Sequence, residues 1–212
     1  MLKIQSFTFN PYQENTYILY DESKEGIIVD PGNYEKHENK LISSFIEKHS
    51  LKIAKIIMTH CHIDHVLGNR FLFEKYGAEI FIPFIEKDMY SNMKNFAPVF
   101  GFANYSHQSE HHYLSEFDKI KFGNIELEVL LLPGHSPGHL AFINKQENIC
   151  VSGDVLFLNS IGRTDLPGGD FNTLIDSIKN KLFLLDENTI IYPGHGPETI
   201  LKNEIMNNPF LI

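Results

Sequence analysis

Thr59-His60-Cys61-His62-Ile63-Asp64-His65 follows the apolar run of residues 53–58 and reads H-x-H-x-D-H. Three imidazoles and a carboxylate fall within six residues. All four are side-chain types that bind zinc and other borderline metals. In extended chain, side chains two apart point the same way, so His60 and His62 reach one ion from one side. Asp64 and His65 sit where strand gives way to helix and can turn toward a second ion. Cys61 should point away from the His pair, as packing or support. Alone, such a stretch could be a polar exposed loop; the density of ligand types argues otherwise.

Further stretches have the shape of metal-binding loops. Leu132-Pro133-Gly134-His135-Ser136-Pro137-Gly138-His139 follows a strand-like run, and its Gly and Pro shape a tight turn. His135 is the ligand candidate. His139 heads into the next strand and is expected either to steady a neighbour by hydrogen bond or to face solvent. Ser152-Gly153-Asp154 ends the strand of residues 149–152. A carboxylate there can bridge two cations, although a lone strand-end Asp is more often a turn former or helix cap. Tyr192-Pro193-Gly194-His195-Gly196-Pro197 repeats the Pro-Gly-His turn, offering His195. If these residues meet the first cluster, the chain builds a two-metal hydrolytic site. His37, His49, His107, His111 and His112 lack ligand spacing and read as surface residues. Cys150, in mid-strand, reads as a small buried hydrophobe. Arg163, in a Gly-rich loop, either grips a substrate carboxylate or forms a structural pair with Asp165 or Asp170.

The 212 residues carry a net charge of -9, and no basic block interrupts them, which makes nucleic acid an unfavoured partner. Two cysteines are no disulfide framework and suit a reducing compartment. Met1-Leu2-Lys3-Ile4-Gln5-Ser6-Phe7 lacks the basic and apolar regions of a signal peptide. No apolar run approaches the ~20 residues that span a membrane. A cytoplasmic protein without membrane contact is therefore expected; its oligomeric state is open.

Strands are predicted over residues 3–9, 16–20, 26–29, 53–58, 79–82, 125–131, 140–144, 149–152 and 189–192. Helices are predicted over 38–49, about 65–76, around Leu174, Ile175, Ile178, Leu182 and Phe183, and over 198–206. Strands precede the first helix and mix with helices later, which fits two mixed sheets covered by helices better than a doubly wound sheet. Residues 86–117 hold to neither period. They read as a flap over the site or as a helical excursion packing its Phe side chains on the core.

The order H-x-H-x-D-H, His135, Asp154, His195 resembles the metallo-β-lactamase superfamily over nearly the whole chain. Within it, Ile161-Gly162-Arg163-Thr164-Asp165-Leu166-Pro167-Gly168-Gly169-Asp170, the segment from Tyr192 to Thr199 and the tail Asn207-Asn208-Pro209-Phe210-Leu211 look like small glyoxalase II-like hydrolases. The resemblance implies an α/β (α+β) fold, an αββα four-layer sandwich, forming one hydrolase domain over residues 1–212. It implies one metal on His60, His62 and His135, a second on Asp64, His65 and His195, and Asp154 bridging them. Zinc is the first expectation, with iron or manganese also suited to a His/Asp set. Only residues 196–212 follow His195, so the C-terminal helical domain of full-length glyoxalase II enzymes is expected to be missing. Many lactamases place Cys at the position of Asp154, which argues against β-lactam hydrolysis.

The implied reaction is hydrolysis of a small thioester, such as S-lactoylglutathione, by a metal-bridged hydroxide, with Asp64 orienting the nucleophile or taking its proton. The alternatives are a persulfide dioxygenase with one iron, and a lactone or phosphodiester hydrolase on the same site. The complete second set, Asp64, His65 and His195, weighs against the dioxygenase.

Overall fold

Short β-branched runs, separated by turn residues and by helical periods, set the element order. The computed structural model describes residues 1–212, and the chain forms two compact units, Met1–Leu114 with Lys121–Glu126, and Ser115–Ile120 with Leu127–Ile212.

The first unit contains β1 (Lys3–Phe9), β2 (Glu14–Tyr20), β3 (Glu25–Val29), α1 (Lys36–His49), β4 (Lys52–Ile57), α2 (Asn69–Tyr76), β5 (Glu79–Pro83), α3 (Lys87–Phe96) and β6 (His112–Leu114). Its six strands form one sheet in chain order. β1 to β3 pair antiparallel, and β3 to β6 pair parallel. Each parallel step needs a crossover, supplied in turn by α1, α2 and α3. α1 starts at a capping box in which Glu35 and Glu38 satisfy each other's backbone N–H groups. It buries Ile42 and Ile46 in a core with Ile18, Ile28, Ile53 and Ile56, each worth up to about 1.5–3 kcal/mol. Leu41, apolar on the same helix, stays exposed.

The second unit carries β7 (Lys119–Phe122), whose last two residues lie in the first unit, β8 (Ile125–Leu131), whose first two residues do, and β9 (Leu140–Asn144), β10 (Ile149–Gly153), β11 (Leu156–Phe157), β12 (Ser160–Ile161), α4 (Phe171–Asn180), β13 (Ile190–Pro193), β14 (Thr199–Ile200) and α5 (Leu201–Asn207). Six of these strands form a sheet in the order β14-β13-β10-β9-β8-β7, and β11 and β12 make a small hairpin. β10 and β13 are parallel, while β9 and β14 pair antiparallel with their neighbours. Leu174 and Ile178 of α4 and Leu201 of α5 bury with Leu132, Ala141, Cys150 and Ile191. The fold is thus two mixed sheets flanked by helices, as the sequence predicts.

Three stretches depart from the sequence reading. The helix expected from about residue 65 begins at Asn69, because residues 63–65 form a single 3-10 turn that redirects Asp64 and His65. The final helix expected over 198–206 begins as β14, where Thr199 pairs with Ile191 of β13. Residues 86–117 hold α3 and β6. They bury Tyr90, Met93, Ala97 and Phe102 in the first unit's core and leave Phe96, Val99 and Phe100 exposed.

Candidate metal centre

Strand register decides which side chains emerge together. In the first unit β3 pairs parallel with β4, Val29 opposite Ile57. Residue 30 therefore leaves its strand beside residues 58–60, and the Asp30 N–H donates to the Ile57 carbonyl at 3.0 Å. The Asp30 carboxylate is buried and accepts three bonds: from the Thr59 N–H at 2.6 Å, from the Thr59 hydroxyl at 2.5 Å, and from His65 Nδ1 at 3.1 Å. With its proton committed to Asp30, the Thr59 hydroxyl accepts from His60 Nδ1, 3.0 Å away. Both imidazoles are thereby fixed with the proton on Nδ1, which directs the Nε2 lone pair outward as a metal ligand requires.

Donor atoms of Asp30, His60 and His65 lie within 4.8 Å of one another, so the Asp30 side is itself a His-rich group able to hold a cation. Its carboxylate, however, is already engaged by Thr59 and His65. On the opposite side of the His65 ring, Nε2 stands 3.5 Å from Asp64 Oδ2. Two ligands at ~2.1 Å from a tetrahedral ion are about 3.4 Å apart, so this spacing fits a shared metal. The His60 ring lies 4.6 Å from that of His62 and 4.2 Å from that of His65, centroid to centroid. The Asp64 carbonyl accepts from Asn10 Nδ2 at 3.1 Å. Cys61 is fully buried in the core. Its thiol is pushed well up by burial, and further by Glu86 and Asp30. Burial also holds the Glu14 carboxyl well above its ordinary value, and His65, whose Nδ1 lies 3.9 Å away, offsets this only in part.

In the second unit β10 and β13 run parallel, Gly153 opposite Pro193. Asp154 and His195 therefore emerge side by side, and the Gly194 N–H donates to the Gly153 carbonyl. His195 Nε2 is 3.5 Å from Asp154 Oδ2, and His135 Nε2 is 3.5 Å from the same oxygen. The Asp154 carboxylate thus stands between the two imidazoles. His135 Nδ1 donates to the Arg163 carbonyl at 2.8 Å, again leaving Nε2 for a ligand. His139 is buried, and its Nε2 accepts the Asp154 N–H at 3.0 Å. Two glycines permit this arrangement. A Cβ on Gly162 would stand 1.9 Å from the Asp154 carbonyl oxygen, and one on Gly134 (φ +130°) would stand 2.3 Å from the Leu174 nitrogen.

The first unit thus brings together His60, His62, Asp64 and His65, and the second brings together His135, Asp154 and His195. The Arg163 guanidinium is exposed and forks onto Asp165 at 2.7 and 2.8 Å. That pairing holds the Asp165 carboxyl down at about 2. His107 and His111, read as surface residues, are half-buried against the Tyr90 ring. The supporting acids Asp30 and Glu86 and the amide of Asn10 escaped the sequence reading. Asp30 was legible only as turn chemistry in Asp30-Pro31-Gly32, and the other two carry no local signal.

A family model described as the metallo-beta-lactamase superfamily matches residues 9–195. Hydroxyacylglutathione hydrolase GloC of Haemophilus influenzae is 35% identical over 213 residues, covering 99% of this chain and 98% of that protein. The probable metallo-hydrolase YqgX of Bacillus subtilis is 34% identical over 211 residues, with 99% and 98% covered. Among solved structures, the BLEG-1 B3 metallo-beta-lactamase superposes with a TM-score of 0.90 at 32% identity over 99% of each chain. TTHA1623 in a di-iron-bound form gives 0.86 at 35% identity, with 98% of this chain and 100% of that chain covered.

Proposed function

The chain belongs to the metallo-beta-lactamase superfamily of metal-dependent hydrolases, and from that premise we propose that it cleaves a small thioester of the S-lactoylglutathione kind. In this reading His60, His62 and His135 would hold one divalent ion, Asp64, His65 and His195 would hold a second, and Asp154 would serve both. The residues fit such a pair by the chemistry of their donors: His60, His65 and His135 have Nδ1 already committed, and carboxylate oxygens lie 3.5 Å from Nε2 of His65, His135 and His195. Zinc and iron both suit the set, and the related di-iron form supports iron as strongly as the ligand types support zinc.

When bound, the ions lower the pKa of a water toward ~7 and take up negative charge developing on an acyl oxygen. The chain's own part is positioning and proton handling. Asp64, largely buried beside His65, orients the attacking water and accepts its proton. A thiol leaving group, with a pKa near ~8.5, needs little acid assistance. Arg163 receives a carboxylate of the substrate, which must compete with Asp165 for the same guanidinium fork. GloC, a hydroxyacylglutathione hydrolase matched end to end, supports the thioester. The observation that carries the reading is the Asp154 carboxylate set 3.5 Å from two imidazoles.

One comparison favours a second reading. The 32% identity to a B3 metallo-beta-lactamase over 99% of each chain keeps β-lactam hydrolysis as that reading. Elemental analysis beside hydrolysis assays on S-lactoylglutathione, a chromogenic cephalosporin, a lactone and a phosphodiester separates the cases. Two metals per chain with thioester turnover support the proposal. Two metals with cephalosporin, lactone or phosphodiester turnover alone move the substrate. One iron per chain, with oxygen consumed on a persulfide and no hydrolysis, replaces the reaction by the dioxygenase one.

A further inference from the structure

The turn carrying His60 and His62 is gripped from behind by an acid that belongs to none of the ligand motifs. β5 runs parallel to β4, with Phe81 opposite Ile57, and the Met58 N–H donates to the Phe81 carbonyl at 3.0 Å. The chain leaving Pro83 therefore emerges beside the chain leaving Ile57. Residues Phe84–Glu86 make one 3-10 turn, which sets the Glu86 carboxylate against Cys61. The Cys61 N–H donates to Glu86 Oε2 at 2.6 Å, and the Cys61 thiol bonds the same side chain. Glu86 is 2% exposed and Cys61 is fully buried.

A bond from a peptide N–H to a buried carboxylate is of the short, strong class, and leaving that N–H without a partner carries the full desolvation cost. The bond falls on the one residue between two imidazoles. It fixes the peptide plane between His60 and Cys61, and the set of that plane governs how the two flanking imidazoles are aimed. We propose that Glu86 is a positioning residue for the His60/His62 pair, its buried carboxylate holding the Cys61 peptide so that both imidazoles face one ion before it arrives. The proposal rests on the reading that His60 and His62 bind metal.

The test titrates cobalt(II) alone into the metal-stripped full chain and follows its visible absorption. Wild type is compared with Glu86→Gln, Glu86→Asp and Glu86→Ala, and the melting temperature of each metal-free protein is recorded. Wild type is expected to take up two ions. Glu86→Gln, whose amide oxygen still accepts from the Cys61 N–H, should keep both affinities within about threefold. Glu86→Ala should weaken one of the two ions about 10- to 100-fold and alter its absorption, while the other ion holds. Wild-type affinities and spectrum in Glu86→Ala, whatever its melting temperature, would overturn the proposal. Should Glu86→Ala not fold, Glu86→Asp decides. Its carboxylate sits one methylene further from Cys61, and unchanged cobalt binding there overturns the proposal equally. A wild-type chain that takes up no cobalt refutes the metal reading itself, and the proposal with it, without reference to any variant.

Discussion

Replacing Asp30 by Asn changes almost no volume and reverses one hydrogen-bonding group. Asp30 Oδ1 accepts the Thr59 N–H, and an amide oxygen can go on doing so. Oδ2 accepts from both the Thr59 hydroxyl and His65 Nδ1, and an amide NH2 in its place faces two donors. The conflict resolves only if both partners give way. His65 must offer an Nδ1 lone pair and move its proton to Nε2. The Thr59 hydroxyl, now an acceptor from the amide, must send its own proton toward His60 Nδ1. Two ligands would then carry hydrogen where the metal needs a lone pair. Two charge-assisted bonds are exchanged for weaker ones, which should cost the metal-free protein about 2–4 kcal/mol. Losing the carboxylate behind a ligating imidazole should weaken metal binding about 10- to 100-fold. Urea unfolding of the stripped protein measures the first effect and metal titration against a competing chelator the second. Imidazole nitrogen shifts by NMR read the proton's position directly. Wild-type metal affinity in Asp30→Asn, with the protons of His60 and His65 still on Nδ1, would refute the network as drawn.

Four other outcomes are expected. Asp154→Ala should drop metal content from two ions toward one and abolish thioester turnover; full metal content with turnover intact would remove Asp154 from the bridge. Gly162→Ala should destabilise by about 1–3 kcal/mol and weaken metal binding, since its Cβ meets the Asp154 carbonyl; a normal melting temperature contradicts the tight approach. Asp21 is buried, and its carboxyl is held near 2, below the ordinary 3.8, chiefly by the Ser23 hydroxyl and also by Asn124. Its folded value is lowered, so its stabilisation is present above the unfolded value and is lost as pH falls through the folded one. The gap between wild type and Asp21→Asn should be about 2 kcal/mol at neutral pH and close between roughly pH 4 and pH 2; a gap constant to pH 2 refutes the assignment. Asp165→Asn frees Arg163 and should lower KM for a carboxylate-bearing thioester while kcat holds; an unchanged KM would place Arg163 outside the substrate site.

What the sequence made legible is what local chemistry determines. Ile53, Ile56, Ile57 and Met58 announce a buried strand, and His60, His62, Asp64 and His65 are ligand types at a spacing that strand geometry makes meaningful. The paired Pro-Gly-His turns around His135 and His195 carry their own Gly and Pro punctuation. The short elements were harder. β6 and β14 are three and two residues long, and they exist because a neighbouring strand offers an edge, not because their own residues alternate. α3 packs through Tyr90 and Met93, three apart, but the aromatic residues from Phe96 to Tyr105 obscure where its period stops.

The acids behind the ligands were illegible for a different reason. Asp30 and Glu86 reach the His-bearing turn only because β3 and β5 flank β4 in parallel, with Val29 and Phe81 both opposite Ile57. A one-residue slip of β3 would move residue 30 away from Thr59, and one of β5 would shift the start of the turn that carries Glu86. Nothing in Asp30-Pro31-Gly32 or Phe84-Ile85-Glu86 records that register; the strands are joined through α1 and α2, whose Ile42, Ile46 and Leu72 are buried in the same core. The ligand types are thus written locally, while the protonation of His60 and His65 depends on an acid that strand pairing delivers from residue 30.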